Sequence, residues 1–389
     1  MNANWNYPTA IRVGAERLSE LGECCRNLDM RSPLLVTDPG LAALPMVGQA
    51  RDACADAGLV CQVFSEIQPN PTGTNVDAGV RAFNQGSHDG VIALGGGSAL
   101  DAGKAIALMA RQSVSLWDLE DVGDNWTRAD ASLIAPIVAV PTTAGTGSEV
   151  GRASVILDEV REVKKIIFHP LMVPKIVILD PVVTVGLPAA LTGATGMDAL
   201  SHSLEAWCSP AYHPMAEGIA IEGIRLVREF LPQAVADGSD LEARTQMLVA
   251  STMGATAFQR GLGAMHALAH PLGALYNAHH GTLNAVLMPY VLQANRLVIE
   301  KRITRLARAI GITNPGFDTF LDWILQLRET LQIAPDLAAL GIDDGEAERI
   351  GKMAKADPSS GTNPLSFSAS EYQALFLRAL NGNLEAVHE

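Results

Sequence analysis

Four of the nine histidines, His266, His270, His279 and His280, fall within fifteen residues of one another, a density that packing alone does not require. On a helix, His266 and His270 stand four apart and share a face, and so do Asp198 and His202 farther up the chain. Each pair can aim two donors at one point. A single histidine on an apolar helix face is ordinary packing more often than it is a ligand, so the grouping carries the reading. One carboxylate with imidazoles and no thiolate suits Fe2+, Zn2+ or Mn2+ and argues against a structural zinc site. A catalytic cation needs an open position, and four protein donors leave one only where the metal expands its shell, as Fe2+ does.

A second constellation follows an apolar run. Gly95-Gly96-Gly97-Ser98 ends the stretch DGVIAL and opens a helical segment carrying Asp101 and Lys104. Glycines let backbone approach a ligand, and a helix N-terminus offers free N–H groups to a pyrophosphate. The spacing departs from G-x-G-x-x-G because Leu100 takes the third glycine, and the acidic strand-end residue Asp38 precedes the turn instead of following it. A polar turn, Pro141-Thr142-Thr143-Ala144-Gly145-Thr146-Gly147-Ser148, follows the run APIVAV and offers further donors. Two such turns after parallel strands fit a nucleotide at the strands' carboxyl ends. Asp38 suits a ribose 2′-hydroxyl and repels a 2′-phosphate, which favours NAD over NADP.

The elements that must position these groups are legible in outline. At 389 residues the chain is long enough for two domains. Residues 33–38, 60–67, 89–98, 135–143, 153–158 and 175–181 read as strands of a parallel α/β sheet, with Ala-rich helices between the earlier ones. After Pro181 the apolar spacing turns helical, as in PMAEGIAIEGIRLVREFL. The expected division is an NAD-binding α/β domain over 1–185 and an all-α metal-binding, catalytic domain over 186–389. A net charge of −14 and a pI near 5.1 disfavour nucleic acid as a partner. The five cysteines show no metal-ligand spacing, and reduced thiols are expected. With neither a signal-type N-terminus nor an apolar run of ~18 residues, a cytoplasmic location away from membranes is expected.

Four segments together, GGGSALDAGK (95–104), PTTAGTGSEV (141–150), ATGMDALSHSLEA (194–206) and HALAHPLG…HHGTLNA (266–285), resemble the iron-containing alcohol dehydrogenase family in order and spacing over nearly the whole chain. The resemblance implies an architecture like that of dehydroquinate synthase and assembly as a homodimer or larger homo-oligomer. It implies metal ligation by Asp198, His202, His266 and His280, and proton handling by His270. It also implies cofactor contacts at Asp38, Asn70, Gly96, Gly97, Ser98, Asp101, Thr142, Thr143, Thr146, Lys164 and Val183. Lys165 is an alternative to Lys164. Many relatives carry Pro-His-Gly where this chain has His279-His280-Gly281, and His279 is expected beside the metal or substrate.

The activity so implied is NAD-linked interconversion of a small primary alcohol and its aldehyde. The motifs are nearest those of 4-hydroxybutyrate dehydrogenases, and Arg260, just upstream of the ligand helix, is a candidate to hold a substrate carboxylate. Succinate semialdehyde and 4-hydroxybutyrate are therefore the first expectation and an uncharged short alcohol or diol the second. A lyase of the dehydroquinate synthase sort, using NAD and a metal without net oxidation, is the rival reading.

Overall fold

The computed structural model describes residue 7 and residues 9–384. The chain divides into two units, Tyr7–Leu187 and Pro188–Glu389.

In the first unit, strands β1 (Ala10–Val13), β2 (Pro33–Val36), β3 (Gln62–Phe64), β4 (Gly90–Gly95), β5 (Ile137–Pro141) and β8 (Ile176–Leu179) form one sheet in the order β1-β8-β5-β4-β2-β3. Every pairing in it is parallel. The residues of β2, β4, β5 and β8 are buried throughout, as expected of strands covered on both faces. From β2 the chain moves outward to β3, then returns to place β4 on the other side of β2. The carboxyl ends of β2 and β4 thus flank a topological switch point, where open α/β sheets bind ligands.

Two strands depart from the expected pattern. Ala153–Asp158 (β6) is not part of the parallel sheet but pairs antiparallel with Val163–Phe168 (β7) in a separate hairpin. In VKKIIF, Val163, Lys164, Ile166 and Phe168 are only half-buried, so the segment lacks the continuous apolar run that marks a central strand. Strand β1, mostly exposed at the sheet edge, was equally silent in the sequence.

The second unit is helical, with no strand among the described residues. Helices Ala189–Cys208 and His280–Ala309 meet at Gly281, where a Cβ would lie 2.5 Å from the carbonyl oxygen of Ala194 and 3.3 Å from the Asp198 Cβ. Only glycine permits that approach, and it brings His280 beside Asp198. Pro271 lies inside helix Ala264–Tyr276 directly after His270. No helix among the described residues is long and apolar enough to cross a membrane.

Candidate metal centre and nucleotide turns

Asp198 and His202 project from helix Ala189–Cys208, His266 from helix Ala264–Tyr276, and His280 opens helix His280–Ala309. One ligand atom from each lies within 4.8 Å of the others. Asp198, His202 and His266 are buried, while His280 is half-exposed. The rings of His202 and His266 stack at 4.8 Å between centroids, and His266 and His280 stand 5.2 Å apart.

Glu205, one turn beyond His202, completes the arrangement from behind. Its Oε2 lies 2.7 Å from His266 Nδ1, and its Oε1 accepts a 2.7 Å bond from the Met265 backbone N–H. A carboxylate can only accept, so Nδ1 of His266 carries the hydrogen and Nε2 presents its lone pair to the cluster. Burial disfavours the charged imidazole, but the Glu205 charge and hydrogen bond, with Asp198 and Asp357, outweigh it and raise the proton affinity of His266. The same field favours a cation. A carboxylate oxygen and imidazole nitrogens converging without thiolates form a donor set that fits Fe2+, Zn2+ or Mn2+.

His270 stands beside this group, its ring stacked on that of His280 at 5.5 Å and 11°. Its Nδ1 lies 2.7 Å from Asp357 Oδ2, and Asp357 Oδ1 accepts from the Ser359 N–H at 2.8 Å. Burial works to raise the Asp357 carboxyl, and the charge of His270 with hydrogen bonds from His270 and Ser359 overcomes it, leaving the group below its ordinary range. Sequence reasoning missed Glu205, Asn284 and Asp357. The first two carried a signal, since Glu205 follows Asp198 and His202 at seven and three residues and Asn284 follows His280 at four, on shared helix faces.

The two residues expected at the substrate have protein partners of their own. Arg260 is buried, with 3% of its surface exposed. Its Nε donates to the Ala211 carbonyl, its Nη1 to those of Ala206 and Trp207, and its Nη2 pairs with Glu217 at 2.8 Å. Nε and Nη1 thus serve the end of helix Ala189–Cys208 and the loop beyond, while Nη2 is paired with a carboxylate of helix Pro214–Ala236. His279 is an exposed N-cap whose Nδ1 accepts from the Thr282 N–H at 3.3 Å, and it lies outside the four-residue group.

In the first unit the two turns come together. Thr142 N–H donates to the Gly95 carbonyl at 3.0 Å, and a Cβ on Gly97 would fall 2.5 Å from Thr146 Cγ2, while one on Gly96 would sit 3.4 Å from Thr143. No side chain caps helix Gly97–Met109, so its first N–H groups, Ser98 among them, are left for an anion. Asp38 caps a short helix through Oδ1, which accepts from Leu41 N–H at 3.0 Å, and its Oδ2 lies 3.6 Å from where a Gly95 Cβ would be. Asp101 faces inward: its oxygens accept from Ser148 Oγ at 2.5 Å and Val155 N–H at 2.9 Å, and it pairs with the buried Lys104. It braces the second turn and the hairpin. Lys164 donates to Asn70 Oδ1 at 2.7 Å, whereas Lys165 is buried between Glu120 and Asp158. Val183 is buried in the turn after β8.

Comparisons agree along the chain. Residues 8–181 match the family model for iron-containing alcohol dehydrogenase, and residues 192–380 match the C-terminal model for the Fe-containing alcohol dehydrogenase family. A 4-hydroxybutyrate dehydrogenase of Cupriavidus necator is 37% identical over 96% of this chain and 99% of its own length. An NAD-dependent methanol dehydrogenase of Bacillus methanolicus is 33% identical over 97% of this chain and 100% of its own. A solved structure of 1,3-propanediol oxidoreductase superposes with a TM-score of 0.93 at 35% identity, covering 98% of this chain and 100% of that one. The chain belongs to the iron-containing alcohol dehydrogenase family and is an oxidoreductase.

Proposed function

We propose that the chain catalyses NAD-linked interconversion of a small primary alcohol and its aldehyde at a divalent cation held by Asp198, His202, His266 and His280. The observation that carries this reading is the convergence of those four donors within 4.8 Å, with Glu205 fixing the His266 tautomer. When bound, the cation supplies Lewis acidity toward the alcohol or aldehyde oxygen, and the nicotinamide supplies the hydride acceptor or donor. His270 moves the alcohol proton at Nε2 while Asp357 holds the hydrogen on Nδ1. Residues 1–185 serve as the nucleotide domain and 186–389 as the metal and catalytic domain. The amides of Gly96, Gly97 and Ser98 and the hydroxyls of Thr142, Thr143 and Thr146 bind the cofactor phosphates and ribose. Asp38 takes the 2′-hydroxyl, Asn70, Lys164 and Val183 complete the nucleotide site, and Asp101 supports it from within.

The first substrate to test is succinate semialdehyde with 4-hydroxybutyrate, supported by the 4-hydroxybutyrate dehydrogenase relative. Uncharged alcohols and diols come second, supported by the relatives named for methanol and 1,3-propanediol. Fe2+ is the expected metal, with Zn2+ and Mn2+ as alternatives. NADH oxidation with succinate semialdehyde, butanal and 3-hydroxypropanal should be compared in enzyme loaded with Fe2+, with Zn2+ or stripped by chelator. Undiminished turnover in the stripped enzyme rejects the reading. A cytoplasmic homodimer or larger homo-oligomer is the accompanying proposal, checked by cell fractionation and light scattering.

A further inference from the structure

Asn284 lies four residues after His280 on the same helix face and is fully buried. Its Nδ2 is 2.8 Å from Asp198 Oδ1, 3.1 Å from His280 Nε2 and 3.2 Å from His266 Nε2, so one amide nitrogen touches three of the four proposed ligands. A carboxamide has two N–H donors for those three acceptors, and the charged carboxylate makes the strongest bond. The other end of the amide points the opposite way: Asn284 Oδ1 is buried with no hydrogen-bond partner among the described residues. A desolvated acceptor without a partner is unfavourable, and an aliphatic side chain of equal size would avoid it. Turning the amide over would set Oδ1 against the Asp198 carboxylate, so the ligand cluster dictates the orientation.

We propose that Asn284 is a positioning residue of the metal centre, whose N–H groups hold Asp198 and draw His266 and His280 toward one point, setting how firmly the cation is retained and how it is coordinated. Imidazole nitrogens that ligate a cation have no lone pair left for a donor, so the bond that persists in the loaded enzyme is the one to Asp198. The proposal rests on the metal reading above. It differs from the role of Glu205, which acts on one imidazole from its far side.

The test loads the full chain with Co2+ and follows loss of the ion to excess chelator, together with the visible absorption of the bound Co2+. Asn284→Leu removes both donors at nearly constant volume and should release Co2+ about ten- to hundredfold faster. Its Co2+ absorption bands should shift in position and intensity, which a merely structural residue would not cause. Circular dichroism and NADH binding should match the unmutated chain. Should the leucine variant fail to fold, Asn284→Ala, which likewise has no donor, carries the same expectation with a smaller side chain. A folded variant with a release rate within twofold of the unmutated chain and unshifted bands overturns the proposal. If the unmutated chain holds Co2+ no better than His266→Ala, the metal reading itself falls and takes the proposal with it.

Discussion

His270 Nδ1 lies 2.7 Å from Asp357 Oδ2, in a part-buried pair that joins residues 87 apart in sequence. The carboxylate fixes the hydrogen on Nδ1 and leaves Nε2 as the basic nitrogen beside His280. Asp357→Asn keeps the shape but offers an amide that can donate as readily as accept, so the tautomer is no longer imposed. Turnover should fall about 10²-fold, the scale of a general acid–base contribution, with metal content unchanged. Steady-state kinetics with metal analysis on the same sample check this, and an unchanged kcat would remove His270 from proton handling.

Glu205 binds two groups at once, the His266 ring and the N-terminal amide of the helix that carries it. Glu205→Gln can accept at one of these positions only, and its amide hydrogens oppose the other donor. Metal affinity should drop roughly ten- to hundredfold, read by competition with a chelator. Retained affinity with normal folding would mean that backbone packing alone orients His266.

Asp198 and His202 share a helix face, and the strand-end turns follow buried apolar runs, so periodicity exposed them, whereas Glu205 on the same face went unread. What periodicity omits is which faces meet. Asp357 caps Pro358–Thr362, and nothing local in KADPSS links it to His270. For Arg260 the converse holds: its place before the ligand helix was visible, whereas the three carbonyls it satisfies come from the end of another helix and the loop beyond. The β6–β7 hairpin escaped because its half-exposed second strand lacks the continuous apolar run of a sheet interior.

Glu20 gives the first unit an acid-sensitive clasp. Arg17 and then Arg12, the latter on edge strand β1, hold its carboxyl down at about 2. A depressed folded pKa means stability that is present above the unfolded value of 4.5 and lost as pH falls toward 2. The groups are partly exposed, so the contribution is below about 1 kcal/mol. Glu20→Gln should lower stability slightly at neutral pH and flatten its decline between pH ~4.5 and ~2. Parallel denaturant titrations across that window check it, and identical acid limbs would show the clasp to be inert.

One substitution separates the cap that Asp38 makes from the role proposed for its charge. Oδ1 caps the short helix Pro39–Ala42, a duty that asparagine performs equally well, while in the proposed nucleotide site its charge would govern the 2′ position of the ribose. Asp38→Asn should leave thermal stability nearly unchanged and raise kcat/KM for NADPH relative to NADH by about tenfold, because a repelled 2′-phosphate no longer meets a carboxylate. An unaltered cofactor ratio would place the ribose elsewhere.

Arg260 is best separated from substrate recognition by measuring stability and specificity together. Arg260→Ala strips donors from the carbonyls of Ala206, Trp207 and Ala211, whereas Glu217 keeps Arg302 at 2.9 Å, so the cost falls chiefly on buried backbone acceptors. The loss should be about 3 kcal/mol, seen as a lowered denaturation midpoint. The ratio of kcat/KM for succinate semialdehyde to that for butanal should stay within about twofold of the unmutated enzyme, since the guanidinium has no free edge to offer an acid. The opposite pattern, stability intact and the acid preference abolished, would return Arg260 to the substrate. It would also require the three carbonyl bonds to open when substrate binds, which such a stable variant would have shown to be dispensable.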